Sequence, residues 1–372
     1  VTDIFDRLAF AYTVDDDDQL TVIAPARRWD ISLAADLYEE IARIYGYDNL
    51  PSTLPTMTRN RGGLTPRQRF IRASRHDLEG MGLTQAISYS LTTVEKAKQF
   101  QIKPLTEPMK LDFPMSSDHV ATRMNIVSGL LNDIAYNVAR NVDNVALYEE
   151  GRIFLPMGDE RPVEQEHLAA AVTGQMVANS WNKKDQPADF FQLKGIVERY
   201  LKNMGIAGKI TYVPTSDRQE MHPGRTADIM VDDQLVGFIG QVHPQTAKEY
   251  KVPETYVFEL NLELLLAAPK IENEYTPISK YPSITRDIAL LVDDDVENAT
   301  IVEAIKQKSG AYLKDIHLFD VYAGSHLPAG KKSLAYTLTY QDDKGTLTED
   351  QVNTAFDKVT AYLQDKVDAE IR

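Results

Sequence analysis

"RDIALLVDDDVENATIVEAIKQKSGAYLKDIHLFDVY", residues 286–322, decides the reading of the last third of this chain. Arg286 to Asp293 carries the alternating pattern of a strand with one buried face. Thr300 and Glu303 offer a capping box for the helix that follows, and Gly310 stands after its end. "LKDIHLFDVY" (313–322) and "KSLAYTLTYQ" (332–341) read as two middle strands. A long helix then starts at Thr348, with Gln351 at the capping-box position, and the closing "AEIR" makes a short edge strand. The β-α-β-β-α-β order is that of a ferredoxin-like domain.

Upstream of it, "APKIENEYTPISKYPS" (268–283) is charged, contains prolines and has the character of a linker. A second break lies at "YDNLPSTLPTMTRNRGGLTP" (47–66), where Pro51, Pro55, Gly62, Gly63 and Pro66 forbid a continuous helix or strand. Three stretches result, with no short internal repeat and no low-complexity segment between them. In the middle stretch, "MSSDHVATRMNIVSGLLNDIAYNVARNVDNVALYEEGRIF" (115–154) predicts a loop, a helix over about 126–140 and then a strand. Val127, Leu130, Leu131, Ile134 and Val138 form the apolar face of that helix. "DFFQLKGIVERYLKNMGI" (189–206) predicts a second amphipathic helix ending near Gly205. "MHPGRTADIMVDDQLVGFIGQVHP" (221–244) predicts two strands joined at Asp232 and Asp233.

His222 and His243 are each followed by proline, and no further Cys or His stands at ligand spacing, so they read as turn residues rather than as a zinc site. Ser116, Ser117, Asp118 and His119 would suit a hydrolase only within a nucleophile elbow, and nothing of that kind surrounds them; a turn uses the same residues.

The first stretch holds the densest chemistry. In "RWDISLAADLYEEIARIYGYDNLP" (28–51), Ser32 is placed to cap a helix that Gly46 closes and Pro51 cannot continue. Leu37, Ile41, Ile44 and Tyr45 recur at helical spacing and are expected to face a core. Asp36, Glu39 and Glu40 project together from another side, with Asp30 just before the cap. Two readings fit four carboxylates on about one turn. They bind a hard cation through oxygen, or they are a solvated first turn that favours the helix dipole, with Glu39 paired to Arg43.

A chain of 372 residues favours two or three domains. Its 43% hydrophobic and 26% charged residues are the balance of a globular protein. No apolar run approaches the roughly 20 residues that cross a bilayer, so no membrane partner is expected. The absence of cysteine excludes disulfides, thiolate metal sites and cysteine nucleophiles, and fits a reducing, cytoplasmic location. A net charge of −15 argues against nonspecific coating of nucleic acid, but not against holding a folded RNA by shape and stacking. Asp15 to Asp18 and Asp293 to Asp295 read as solvated turns. Val1 at the start, in place of methionine, points to a fragment.

The segment 28–51 resembles the end of the winged-helix-like module of bacterial phenylalanyl-tRNA synthetase β subunits, whose pattern "R-D … DL-EE-AR-YGY-P" it carries without gap or substitution. The middle segments, in their order, resemble that family's synthetase-like module, a mixed α/β domain of class II fold. "KYPSITRDIALLV" and the segments after it resemble its C-terminal anticodon-binding domain. The resemblance implies an α+β, multidomain protein: the end of a winged-helix-like module over 1–56, a noncatalytic class II synthetase-like module over 57–272 and a ferredoxin-like domain over 277–372.

The resemblance further implies that Asp30, Asp36, Glu39 and Glu40 bind Mg2+ at the junction with an α subunit. It implies an α2β2 assembly that attaches phenylalanine to its tRNA, with ATP used at the α subunit. The editing domain of the family lies upstream of this segment. No Gly-rich segment ends in the arginine that class II enzymes place against ATP, and Arg152 alone does not hold a nucleotide. Tyr281, Arg286 and Phe319 are the candidates for contact with the anticodon loop. Phe319 equally suits a core, and Arg286 a pairing with Asp287 or Asp320. Two rival functions are a stand-alone magnesium-dependent hydrolase, which needs a pocket and base that are not readable, and a winged-helix DNA-binding regulator, which the acidic balance disfavours.

Overall fold

The structure, a computed structural model, describes residues 1–54, 62–104, 107–158, 160–177, 180–182, 186–271, 274–324 and 326–371. The expected boundaries at 56–57 and 272, Pro55 and the final Arg372 lie outside these residues. The backbone divides into two compact units, residues 1–204 with 209–267, and residues 205–208 with 268–372.

The first unit opens with α1 (Thr2–Arg7), the hairpin β1 (Ala11–Val14) and β2 (Leu20–Ile23), and α2 (Ala34–Tyr45). The Asp15 carboxylate accepts the backbone N–H groups of Asp17 and Gln19 at 3.0 and 2.8 Å, which makes the acidic run the hairpin turn. Helix α2 starts one residue later than expected, with Leu33 at the N-cap. Ser32 does not cap it. Asp36 reaches back instead, its Oδ2 accepting the N–H groups of Ser32 and Leu33 at 2.7 Å each. Gly46 ends the helix at φ 97°, a backbone conformation that side chains disfavour. Leu37, Ile41 and Ile44 are half-buried, but Tyr45 is exposed, so the apolar stripe is narrower than its spacing suggests.

Next come α3 (Pro66–Gly80), β3 (Thr84–Gln85), β4 (Leu91–Thr92), α4 (Val94–Lys98), β5 (Ala121–Thr122) and α5 (Val127–Val138). The strands β6 (Val145–Met157) and β7 (Glu160–Thr173) form a long hairpin, followed by α6 (Phe190–Asn203) and β8 (Ile210–Pro214). The unit ends with β9 (Met221–Val231), β10 (Gln234–Val242), α7 (Pro244–Tyr250), β11 (Thr255–Asn261) and α8 (Leu262–Ala267). Seven strands form one sheet in the order β3-β6-β7-β11-β10-β9-β8, antiparallel except where β3 meets β6. Strand β11, in the middle, is buried at every position. Val127, Leu130, Leu131 and Ile134 of α5 belong to one buried cluster with Ala169, Ala171, Phe238 and Val257 of the sheet.

The second unit is β12 (Ile284–Asp293), α9 (Asn298–Lys308), β13 (Leu313–Tyr322), β14 (Lys331–Tyr340), α10 (Glu349–Val367) and β15 (Glu370–Ile371). Its sheet runs β13-β14-β12-β15, antiparallel throughout, which is the ferredoxin-like arrangement. Ile301 and Ile305 of α9 and Val359 and Leu363 of α10 share a core with Leu290, Val292, Tyr336 and Leu338. The capping box at Thr348 and Gln351 is formed. The one expected at Thr300 and Glu303 is not, because α9 begins at Asn298 with Glu297 at its N-cap. Among the described residues, no helix is long and apolar enough to cross a membrane.

Candidate functional site

The four carboxylates of the first segment gather around the start of α2, but cationic side chains and backbone N–H groups hold most of them. Arg28 forks onto Asp30, Nε donating to Oδ1 at 3.0 Å and Nη2 to Oδ2 at 2.7 Å. Its Nη1 donates to Glu40 Oε2 at 2.9 Å, and Arg43 Nη2 donates to the same oxygen at 2.7 Å. Glu40 is buried, and with Arg28 and Arg43 beside it its carboxyl is held down at about 2. Asp30 is likewise lowered by Arg28, and Asp36 by the two backbone N–H groups of Ser32 and Leu33. Glu39 is exposed on the neighbouring face. Arg43, one reading's partner for Glu39, is bonded to Glu40 instead.

By donor type this set suits a hard cation: every candidate ligand is a carboxylate oxygen. By geometry it is not a formed ligand cluster. Among the described residues, no group of three or more His, Cys, Asp or Glu side chains is placed to hold a metal ion. Trp29, Leu33 and Tyr38, three large apolar side chains, stand exposed beside these carboxylates.

In the middle module the buried charges lie along the sheet strands, at positions that local pattern does not single out. Glu259 is fully buried on β11. Its Oε1 is 2.7 Å from His167 Nδ1 on β7, and its Oε2 accepts the N–H groups of Ile126 and Val127 at 2.9 and 3.2 Å. The carboxylate thus seats the N-terminus of α5, where the helix dipole favours a negative charge. A second buried pair, Arg123 and Glu149, meets at 2.6 Å, with Arg123 also donating to the Arg152 carbonyl at 2.7 Å. Gly151 is needed under it, since a Cβ there would lie 2.3 Å from Arg123 Nη2. Arg152 itself pairs with Glu164 at 2.6 Å. The local signal for these charges is a Glu or His set in an apolar strand, as in "LYEEG", "EHLAAAV" and "FELNL".

The histidine expectations resolve individually. His243 Nδ1 accepts the Gln245 N–H at 3.2 Å and caps α7. His222 Nδ1 accepts the Gly224 N–H at 3.1 Å, although His222 lies within β9 rather than in a turn before it. Ser116 Oγ lies 2.9 Å from His119 Nδ1, and the His119 ring meets Tyr89 at a tilt of 52° with centroids 4.8 Å apart. Nothing there resembles an activated nucleophile held by a buried third residue.

In the second unit, Tyr281 stands just before β12, 36% exposed, its carbonyl accepting from Gln341 Nε2 at 2.6 Å. Arg286 pairs across the sheet with Leu338 and donates to Asn353 Oδ1 of α10 at 3.1 and 3.3 Å, not to Asp287 or Asp320. Its head is therefore committed to the helix-covered side. Phe319 lies at the irregularity between Leu318 and Asp320 of the outer strand β13 and is 52% exposed, so it is not a core residue.

Three family matches cover most of the chain without overlapping: "tRNA synthetase B5 domain" over residues 1–47, "Phenylalanyl tRNA synthetase beta chain CLM domain" over 50–262 and "Ferredoxin-fold anticodon binding domain" over 279–372. The second alone spans more than half of it. The chain belongs to the phenylalanyl-tRNA synthetase beta chain family. Among curated relatives, the phenylalanine–tRNA ligase beta subunit of Lactiplantibacillus plantarum is 59% identical over the whole chain. Those of Latilactobacillus sakei and Bacillus licheniformis are 50% and 47% identical over 99% and 100% of it. The chain spans 46% of the length of each of these relatives. For a phenylalanyl-tRNA synthetase beta chain, the paired state of Arg123 and Arg152 matters: each guanidinium is bonded to a carboxylate.

Proposed function

We propose that this chain is the C-terminal part of a phenylalanine–tRNA ligase β subunit and works in the cytoplasm with a catalytic α subunit, as α2β2, in the ATP-dependent attachment of phenylalanine to its tRNA. The observation that carries this is the run of three family matches from residue 1 to 372, in the order such subunits have. The modules are assigned as 1–56, 57–272 and 277–372, the first joining the α subunit, the second noncatalytic and the third meeting the anticodon. Neither rival has a supporting observation: among the described residues no group of three or more His, Cys, Asp or Glu is placed to hold a metal for hydrolysis, and the three family matches name synthetase modules only.

Asp30, Asp36, Glu39 and Glu40 are the residues that would hold a magnesium ion, completed by the α subunit, and the ion would supply fixed positive charge between the two chains. The exposed Trp29, Leu33 and Tyr38 beside them support a docking surface there. The double variant Asp36→Asn with Glu40→Gln is expected to lose magnesium-dependent association with a bacterial α subunit. Sedimentation across a magnesium titration checks this, and an unchanged binding curve counts against the metal assignment.

At the other end, Tyr281 is the candidate best placed for stacking on an unpaired base. One stacked base is worth on the order of 1–3 kcal/mol, so Tyr281→Ala is expected to weaken tRNA binding by about tenfold. Phe319→Ala tests the outer strand in the same filter-binding assay. Identical anticodon footprints for the wild type and a Tyr281, Arg286, Phe319 triple alanine variant would remove all three from the interface.

A further inference from the structure

Arg28 occupies the space between two of the carboxylates just assigned to a cation. All three of its guanidinium nitrogens are used, two on Asp30 and one on Glu40. It is not a loose surface charge. Its side chain is 26% exposed, its guanidinium lies 5.8 Å from the centroid of the Phe10 ring, and its backbone is tied into a turn through Pro25 O at 2.8 Å and Ile31 N at 3.3 Å. A planar fork of this kind matches a carboxylate better than an ammonium does.

Grouped carboxylates repel one another unless a positive charge lies among them. Arg28 supplies that charge from within the chain, and Arg43 adds to it at Glu40. The same oxygens cannot serve a guanidinium and fill a small cation's coordination shell at once, because magnesium requires short, near-octahedral oxygen contacts.

We propose that Arg28 is a built-in placeholder for the cation: it keeps Asp30 and Glu40 together while no metal is present, and it must let go of at least one of them when a divalent ion binds. This rests on the metal assignment above and adds a residue that sets the affinity. The free chain accordingly binds the ion weakly, and an α subunit that offers Arg28 another anionic partner raises the affinity. Assembly and metal loading are thereby coupled.

The test is Mn2+ binding to the full chain, followed by loss of the free-ion electron paramagnetic resonance signal, with thermal unfolding measured in parallel at several Mg2+ concentrations. Arg28→Gln is expected to bind Mn2+ about tenfold more tightly than wild type, the equivalent of one competing charge-assisted bond removed. It is also expected to unfold at lower temperature without metal and to regain that loss as Mg2+ is added. Arg28→Lys, which keeps the charge but not the fork, should fall between the two and guards against a misfolded glutamine variant. If both variants bind Mn2+ no better than wild type while Asp36→Asn abolishes binding, the placeholder is wrong and the metal assignment stands. If neither wild type nor any variant binds Mn2+ at millimolar concentration, both fall.

Discussion

Glu259→Ala is expected to destabilise the sheet-bearing unit by about 3–5 kcal/mol, the usual cost of deleting one partner from a buried, hydrogen-bonded charge cluster. The variant leaves the N–H groups of Ile126 and Val127 without their acceptor and strands His167 beneath α5. Because α5 contributes Val127, Leu130, Leu131 and Ile134 to the main core, loosening its first turn should spread into the sheet. Urea unfolding followed by far-ultraviolet circular dichroism measures the shift. Glu259→Gln should lose less, since one amide oxygen still accepts while the amide nitrogen faces donors. A loss below about 1 kcal/mol for Glu259→Ala, the range of a surface substitution, would mean that this carboxylate does not seat the helix.

The second large effect is an absence of reaction. The purified chain, free of any α subunit, is expected to give no phenylalanine-dependent exchange of pyrophosphate into ATP. Stabilising charge on transferring phosphates requires cations aimed at that charge. Here Arg123 is bonded to Glu149 and to the Arg152 carbonyl, Arg152 to Glu164, and Arg218 to Asp228 at 2.8 Å. To bind a nucleotide, each would have to abandon a carboxylate already in place. Exchange above the rate of an enzyme-free control would show that one of them does.

Local patterns carried the second unit well. A βαββαβ order is visible because each element is bounded by turn residues and amphipathic with its own period, so strands and helices separate without knowledge of what they pack on. The first turn of α9 differs for a local reason: Thr300 and Glu303 have capping-box spacing, but two helical residues, Asn298 and Ala299, precede them, and the helix starts at Asn298. The long strands of the middle module were harder. Glu149, His167 and Glu259 have the residue types of solvent-facing positions, and only pairing at long range, Glu149 with Arg123 across 26 residues and Glu259 with His167 across 92, makes them buried partners. A pattern with a range of a few residues cannot register that.

The candidate metal site divides along the same line. That four acids share one end of α2 follows from helical spacing, but Arg28 as their neutralising charge does not, since it precedes the helix and reaches it only through a turn. Likewise, Arg286 has the residue type expected at an RNA surface, while its bond to Asn353 depends on a helix 67 residues further on.

We propose that this chain completes a phenylalanine–tRNA ligase rather than acting alone. The direct measurement is to join it to the remaining half of the β chain that its relatives carry, mix the product with a bacterial α subunit, and assay charging of phenylalanine tRNA. A mixed complex, seen by light scattering, is expected to charge the tRNA, while the α subunit alone and the β chain alone do not. A β chain that remains separate from the α subunit, or an α subunit that charges tRNA equally well without it, would rule out this role.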